Sequence, residues 1–288
     1  LQAEGQAQVQ HVRIAGQSYA QHKPVTLSTQ LKVNRPEGRY QFRKGGLTIA
    51  GADFAVSGSA TQQESGTQLD LHLEGRNNNL QTLLALVPEA YRQRFASYHG
   101  KGHFYCRADL TGQVTPRQNP KLQIDFGVED GRISREQTDQ VLTQVNLEGS
   151  FTNGNKQAAI STQLALDNFR ASLRDRQLYG SLSLTNFTDP YLNLQVRGRP
   201  RLQDLQALLP FRDLPATTGD FFVDADFAGR LRHLKQVSTM PKVNFKGRLG
   251  LEQAALQTPA QHPDFDSLDG HFSFNGNDLM IHRFKGQA

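Results

Sequence analysis

Cys106 stands three residues after His103 and seven after His99, a grouping that invites thiol–imidazole catalysis. Such chemistry needs an imidazole that can take the thiol proton, because the thiolate is the nucleophile. On a strand, side chains two apart share a face and odd offsets oppose. Cys106 therefore sides with Phe104 and Ala108, and His103 points away, which predicts a buried, inert thiol. A second grouping, His262, Asp264, Asp266, Asp269 and His271, offers the oxygen and imidazole donors of a divalent-ion site. Its spacing fits no metal-binding loop, and Pro263 and Gly270 read as turn punctuation, so no metal is expected. Asp224 and Asp226 share a strand face, as paired carboxylates for acid–base work would. The matching pair in an internal repeat is Arg107 and Asp109, so this is expected to be a solvated face. The chain holds no phosphate-cradling glycine loop, nucleophile elbow or zincin motif. The expectation is no catalytic residue, no cofactor and no enzyme.

The elements that would carry such groups are strands. Leu69, Leu71 and Leu73 alternate with Asp70, His72 and Glu74. Phe104, Cys106, Ala108 and Leu110 alternate with Tyr105, Arg107 and Asp109. Leu122, Ile124, Phe126 and Val128 alternate with Gln123, Asp125 and Gly127. Phe221, Val223, Ala225 and Phe227 alternate with Asp224 and Asp226, and Leu182 and Leu184 flank Ser183. Period-two alternation over five to nine residues predicts strands with one apolar and one polar face. Turn chemistry is read at Lys44-Gly45-Gly46, Glu129-Asp130-Gly131, Asn153-Gly154-Asn155 and Asn275-Gly276-Asn277. Short links of this kind join antiparallel neighbours. Two stretches have helical spacing: residues 79–98, with Leu80, Leu83, Leu84 and Val87 before Pro88, which should end that helix or start the next, and residues 201–210, with Leu202, Leu205, Leu208 and Leu209 closed by Pro210.

Composition fits a sheet wetted on one side. Of 288 residues, 37% are hydrophobic, and mean hydropathy is −0.56, low for a two-layer domain of this length. The net charge of +5 is spread without a basic run, which argues against nucleic acid. One cysteine excludes an internal disulfide and a multi-cysteine zinc site. No stretch has the roughly 18–20 apolar residues of a membrane helix. The polar start lacks the apolar core of a signal peptide. The chain opens and stops in mid-pattern, so an excerpt of a longer protein is expected.

A repeat organises the chain. Residues 71–88, LHLEGRNNNLQTLLALVP, match residues 194–210, LQVRGRPRLQDLQALLP. Residues 102–112, GHFYCRADLTG, match residues 219–229, GDFFVDADFAG. Asn119-Pro120-Lys121-Leu122 matches Met240-Pro241-Lys242-Val243. Order is kept, at offsets of roughly 117 to 123 residues. Outward, Ser28-Thr29-Gln30-Leu31 recurs as Ser161-Thr162-Gln163-Leu164. Residues 147–154, LEGSFTNG, resemble residues 268–276, LDGHFSFNG. The expected division is a partial flank 1–68, a first unit 69–190, and a second, truncated unit 191–288, stacked as one continuous sheet.

On these motifs, with Asn119-Pro-Lys-Leu-Gln-Ile-Asp-Phe126 beside them, the chain resembles the AsmA family of Gram-negative envelope proteins, especially the large AsmA-like proteins of Bacteroidetes. It carries no catalytic signature, and the family has none to transfer. The resemblance implies a bridge-like lipid transfer protein of the TamB-containing superfamily. Such a protein has β-groove units in the periplasm and an inner-membrane helix, absent here, that anchors the parent. It also implies partners at either membrane and a part in outer-membrane biogenesis.

Alternation alone would favour a closed sandwich whose apolar residues face one another as an ordinary core; the repeat and the resemblance turn the expectation to all-β with short helices, a repeated, curved antiparallel sheet forming an elongated open groove. The expected function is to bind phospholipids or other acyl lipids and conduct them passively. Groove-lining positions are Leu69, Leu71 and Leu73; Phe104, Ala108 and Leu110; Leu122, Ile124 and Phe126; and Phe221, Val223 and Phe227. Arg76 and Arg199, each following a repeat glycine, are the candidates for headgroup phosphates. The rivals are a scaffold that assists outer-membrane assembly without carrying lipid, and an outer-membrane barrel, which the absence of tryptophan girdles disfavours.

Overall fold

Alternation of this kind can satisfy its backbone only through neighbours, and the chain does so by pairing nearly every strand with the next. The structure, a computed structural model, describes residues 2–9, 12–14, 17–19, 23–49, 51–81, 96–136, 138–208, 217–235, 237–256, 264–276 and 278–287. Its strands are β1 (Gln2–Val9), β2 (Val12–Ile14), β3 (Gln17–Tyr19), β4 (Lys23–Asn34), β5 (Arg39–Ile49), β6 (Ala52–Gln63), β7 (Gly66–Asn79), β8 (Tyr98–Val114) and β9 (Lys121–Arg135). They continue with β10 (Val141–Thr152), β11 (Gln163–Leu173), β12 (Arg176–Thr185), β13 (Tyr191–Gly198), β14 (Thr217–Arg230), β15 (Asn244–Leu256), β16 (Phe265–Asn275) and β17 (Asp278–Gln287). Fifteen form one sheet in the order β1-β4-β5 and then sequentially to β17, while β2 and β3 pair as a hairpin. The fold is all-β and antiparallel. The expected helix in residues 201–210 is present as α1 (Leu202–Leu208). Its earlier counterpart begins at Leu80–Gln81, and residues 82–95 lie outside the described residues.

Two turn readings are corrected. Gly45 and Gly46 lie inside β5, and Glu129-Asp130-Gly131 lies inside β9. Residues that accept positive φ serve bulges as well as turns. Asp130, at φ 47°, lets β9 continue where a turn would end it. Strands are consequently longer than the alternation suggested, reaching 17 residues in β8. Gly154 (φ 72°) and Gly276 (φ 66°) do make turns, after β10 and between β16 and β17.

The chain divides into two compact units: Leu1–Gly131 with Glu148–Ala165 and Thr185–Thr188, and Arg132–Leu147 with Leu166–Leu184 and Asp189–Ala288. Each holds one copy of the repeated hairpin, and the copies agree in detail. In the first, Gly75 lies opposite Cys106, Leu73 opposite Ala108 and Leu71 opposite Leu110. In the second, Gly198 lies opposite Val223, Val196 opposite Ala225 and Leu194 opposite Phe227. Beyond the Gly-Arg step both ladders break; the first resumes at Asn78↔Phe104 and reaches Asn79↔His103, the counterpart of the Arg201↔Asp220 bridge in the second. Gly102 (φ 122°) and Gly219 (φ 109°) are equivalent bulge glycines. A Cβ on either would come within 2.7 Å of the Gly131 Cα or 2.6 Å of the Ala254 Cα, beside the left-handed Asp130 (φ 47°) and Gln253 (φ 49°). The Ser28–Leu31 match does not mark an equivalent place. It lies within β4 with three strands, β5 to β7, before the Gly-Arg step, whereas Ser161 precedes β11 with only β12 and β13 before it. An odd and an even strand count reverse chain direction.

In the second unit, α1 is fixed by polar anchors. Arg174 Nε donates to the buried Asp204 carboxylate at 3.0 Å and to Gln140 Oε1 at 3.0 Å, while Arg135 donates to the Ala207 carbonyl at 3.1 Å. Leu208 is buried at the helix end.

Candidate functional site

Register places the sequence-predicted apolar positions in rows. In the first unit, Val56, Leu73 and Ala108 form one row, Gly58, Leu71 and Leu110 the next, and Ala60, Leu69 and Gly112 a third. The rows extend through β5 and β4: Leu31 and Phe42 meet Gly58, and Val33 and Tyr40 meet Ala60. Sequence reading missed these flank residues, although Tyr40 and Phe42 alternate with Arg39, Gln41 and Arg43. On β9, Leu122 is buried, and Ile124 and Phe126 are half-buried. Phe126 covers Gly149 so closely that a Cβ there would meet its ring at 2.4 Å. In the second unit, Leu194, Phe227 and Phe245 share a row, as do Gly198, Val223, Leu249 and Phe272, and Phe221 with Leu251 and Gly270. Phe245 and Phe274 meet at a tilt of 57°, with centroids 4.8 Å apart. The β15–β16 aromatics were also unread, because Gly247, Gly250 and Gly270 interrupt their alternation.

Burial shows what this face lacks. Of the twelve predicted lining positions, Phe104, Ala108, Leu122 and Val223 are buried. Leu69, Leu71, Leu73, Leu110, Ile124, Phe126, Phe221 and Phe227 are half-buried. In a face packed against a second layer, leucine and phenylalanine fall mostly into the fully buried class.

The opposite face is an ion-pair ladder. Glu74 on β7 meets Arg107 on β8 at 3.5 Å, and His72 Nδ1 lies 2.5 Å from the Asp109 carboxylate. At the equivalent place in the second unit, Arg197 meets Asp224 at 3.0 Å, with the charges exchanged between strands. Arg248 donates to the other Asp224 oxygen at 2.9 Å, and Arg197 lies 3.6 Å from Asp226. The Arg248 hydrogen bond, with Arg197 beside it, holds the Asp224 carboxyl below its ordinary value against partial desolvation. Two arginine-engaged carboxylates of this kind are poorly placed to share a proton.

Arg199 also projects here, not onto the apolar face. Its guanidinium lies 5.1 Å from the Phe222 ring centroid and 3.9 Å from Glu252. Arg76 belongs to β7, and its side chain lies outside the described residues.

Cys106 sits on the apolar side opposite Gly75, and its thiol is pushed up to about 11, first by burial and then by the Asp125 charge. That is the reverse of activation. His262 lies outside the described residues, and Asp269 accepts a hydrogen bond from the Gln253 N–H at 3.0 Å. Among the described residues no three His, Cys, Asp or Glu side chains converge as metal ligands would.

One arrangement escaped sequence reading. Ser57, His72 and Asp109 stand directly opposite one another on β6, β7 and β8, the residue types of a nucleophile, base and orienting acid. They line an open recess of about 700 Å³ with Glu74 and Arg107. One feature separates the row from a hydrolytic triad: the second imidazole nitrogen faces Asp70 at 3.5 Å, so both ring nitrogens lie against carboxylates. Among the described residues no helix is long and apolar enough to cross a membrane. Comparison with protein-family models, with curated proteins and with solved structures gives no match.

Proposed function

We propose that this chain is a non-enzymatic segment of an AsmA-like, bridge-type envelope protein whose apolar sheet face accepts phospholipid acyl chains and conducts them passively. The reading rests on one observation: an antiparallel sheet that carries, in each unit, rows of half-buried leucine and phenylalanine on one face and exposed ion pairs on the other. Acyl chains against that face leave water at about 0.8 kcal/mol per buried methylene. The contacts are non-directional, so chains can slide. A curved, open groove, a periplasmic setting and an anchored parent protein belong to the same proposal and follow from the resemblance. Headgroup contacts are reassigned. Arg199 lies on the far face, so headgroups stay in solvent at the margin of the apolar rows and need no dedicated arginine.

The experiment is purification without detergent, organic extraction and mass spectrometry of the bound material. Phospholipid in near-stoichiometric or greater amount, displaced by added diacyl lipid, is the predicted result. A lipid-free chain whose Leu71 and Phe221 are shielded from solvent would overturn the proposal and favour a scaffold with a closed core.

A further inference from the structure

The polar faces of the two repeat hairpins carry the same aromatic position in opposite charge settings. In the second unit, Phe222 of β14 lies opposite Gly250 of β15. Two guanidiniums stand over its ring, Arg199 at 5.1 Å and Arg248 at 5.7 Å from the centroid. Arg248 also donates to the Asp224 carboxylate at 2.9 Å. One arginine thus joins an aromatic face to a carboxylate, an arrangement that suits a flat, delocalised cation with a fork of donors.

The first unit has the same platform without that arginine. The bulges align Gly102 with Gly219 and Gly131 with Ala254, which sets Tyr105 on Phe222, Gly127 on Gly250 and Asp125 on Arg248. Tyr105 lies down across β9, so that a Cβ on Gly127 would collide with its Cζ and hydroxyl, yet the residue stays 36% exposed. The row beside the ring is inverted in charge: Arg197, Asp224 and Arg248 in the second unit become Glu74, Arg107 and Asp125 in the first. Arg76, the counterpart of Arg199, has its side chain outside the described residues; the difference between the units is at position 125. Around Tyr105 is an open recess of about 610 Å³ lined by Glu74, His103, Arg107, Asp125 and Glu129. Three carboxylates there face one guanidinium. The Tyr105 phenol is raised above its ordinary value, first by burial and then by the Glu148 and Glu129 charges.

We infer that this recess binds a guanidinium group from outside the chain, seated on the Tyr105 ring and hydrogen-bonded to Asp125 or Glu129, in the place that Arg248 fills in the second unit. The acidic lining disfavours phosphates and acidic glycans. An ammonium group has the charge but lacks the planar fork. The sheet itself separates the recess from the apolar rows, so the ligand is distinct from a lipid lying on the other face. Two sources carry this chemistry, a small guanidino compound and an arginine of a partner polypeptide.

The test uses the 288-residue chain labelled with 3-fluorotyrosine, the Tyr105 fluorine resonance being the one lost in Tyr105→Phe. The probes are acetyl-Gly-Arg-Gly-amide, its neutral citrulline analogue and agmatine. The arginine peptide is expected to shift the Tyr105 resonance saturably, with the citrulline peptide at least about tenfold weaker. The variant Glu74→Arg, Arg107→Asp, Asp125→Arg copies the row of the second unit, supplies the cation from within and should abolish the shift, with an unchanged circular dichroism spectrum showing an intact sheet. Asp125→Asn, a milder change, should weaken the arginine peptide about fivefold. Agmatine binding as tightly as the peptide assigns the site to a small guanidino compound, whereas a peptide about tenfold tighter assigns it to an arginine of a partner protein. An unmoved Tyr105 resonance, an equal shift by the citrulline peptide, or undiminished binding by Asp125→Asn would overturn the inference.

Discussion

Asp224 shows how single residues hold the polar face. Its carboxyl is lowered by the Arg248 hydrogen bond and the Arg197 charge. A depressed folded value means that this stabilisation is fully present above the unfolded carboxylate range, near about 4, and is lost as pH falls through the lower folded value. Asp224→Asn should therefore flatten the acid limb of a urea-midpoint profile below about pH 4 and cost under about 1 kcal/mol at neutral pH, the scale of an exposed pair. Cys106 gives an independent reading of its face. With the thiol near 11, iodoacetamide should label the native protein far more slowly at pH 8 than the urea-unfolded chain, with native labelling rising only toward pH 11. The sequence placed this residue correctly because strand parity alone fixes its side. Parity also sets Arg199 on the polar face, but its place after a repeat glycine drew attention to phosphate and away from Phe222.

Elements are specified by paired positions, and the two repeat hairpins expose which pairs matter. Glu74–Arg107 in one and Arg197–Asp224 in the other keep opposite charges face to face while exchanging which strand carries which. Glu74→Arg alone should place like charges opposite and lower stability by about 0.2–1 kcal/mol, and Glu74→Arg with Arg107→Glu should recover most of that loss in a double-mutant cycle. The bulge glycines make a sharper case. Gly102→Ala and Gly219→Ala each force a side chain into left-handed backbone with a neighbouring Cα under 3 Å away, a loss of about 1–3 kcal/mol by chemical denaturation. Gly46→Ala, with nothing within 4 Å of the new Cβ, should be close to neutral. These elements were partly legible in the sequence. The alternation of Leu69–Leu73, Phe104–Leu110 and Phe221–Phe227 fixed strands and faces, and the leucine spacing fixed α1. Two turn readings failed because only the cross-strand partner decides: Gly45 and Gly46 sit in β5 beside a register shift after Phe42, and Asp130 takes its positive φ inside a continuing strand. The Ser57–His72–Asp109 row was invisible for a related reason. Register, not sequence spacing, brings residues from three strands into line.

At the scale of the whole molecule, the account rests on an asymmetry between two sheet faces. One is a ladder of ion pairs that water already satisfies. The other is rows of leucine and phenylalanine, with eight of the twelve positions read from sequence only half-buried by the described residues. Covering such a face stabilises the folded chain, so diacyl lipid should raise its melting temperature while a headgroup-only analogue such as glycerophosphocholine should not. The most direct measurement is photo-crosslinking in cells from diazirine side chains at Leu71, Ile124 and Phe221, which are apolar and half-buried, with Asp70 and Asp125 as neighbours on the opposite face. The account predicts phospholipid adducts at the first three positions and none at the two aspartates. Adducts equally distributed between the faces, or protein adducts alone at Leu71, Ile124 and Phe221, would contradict it.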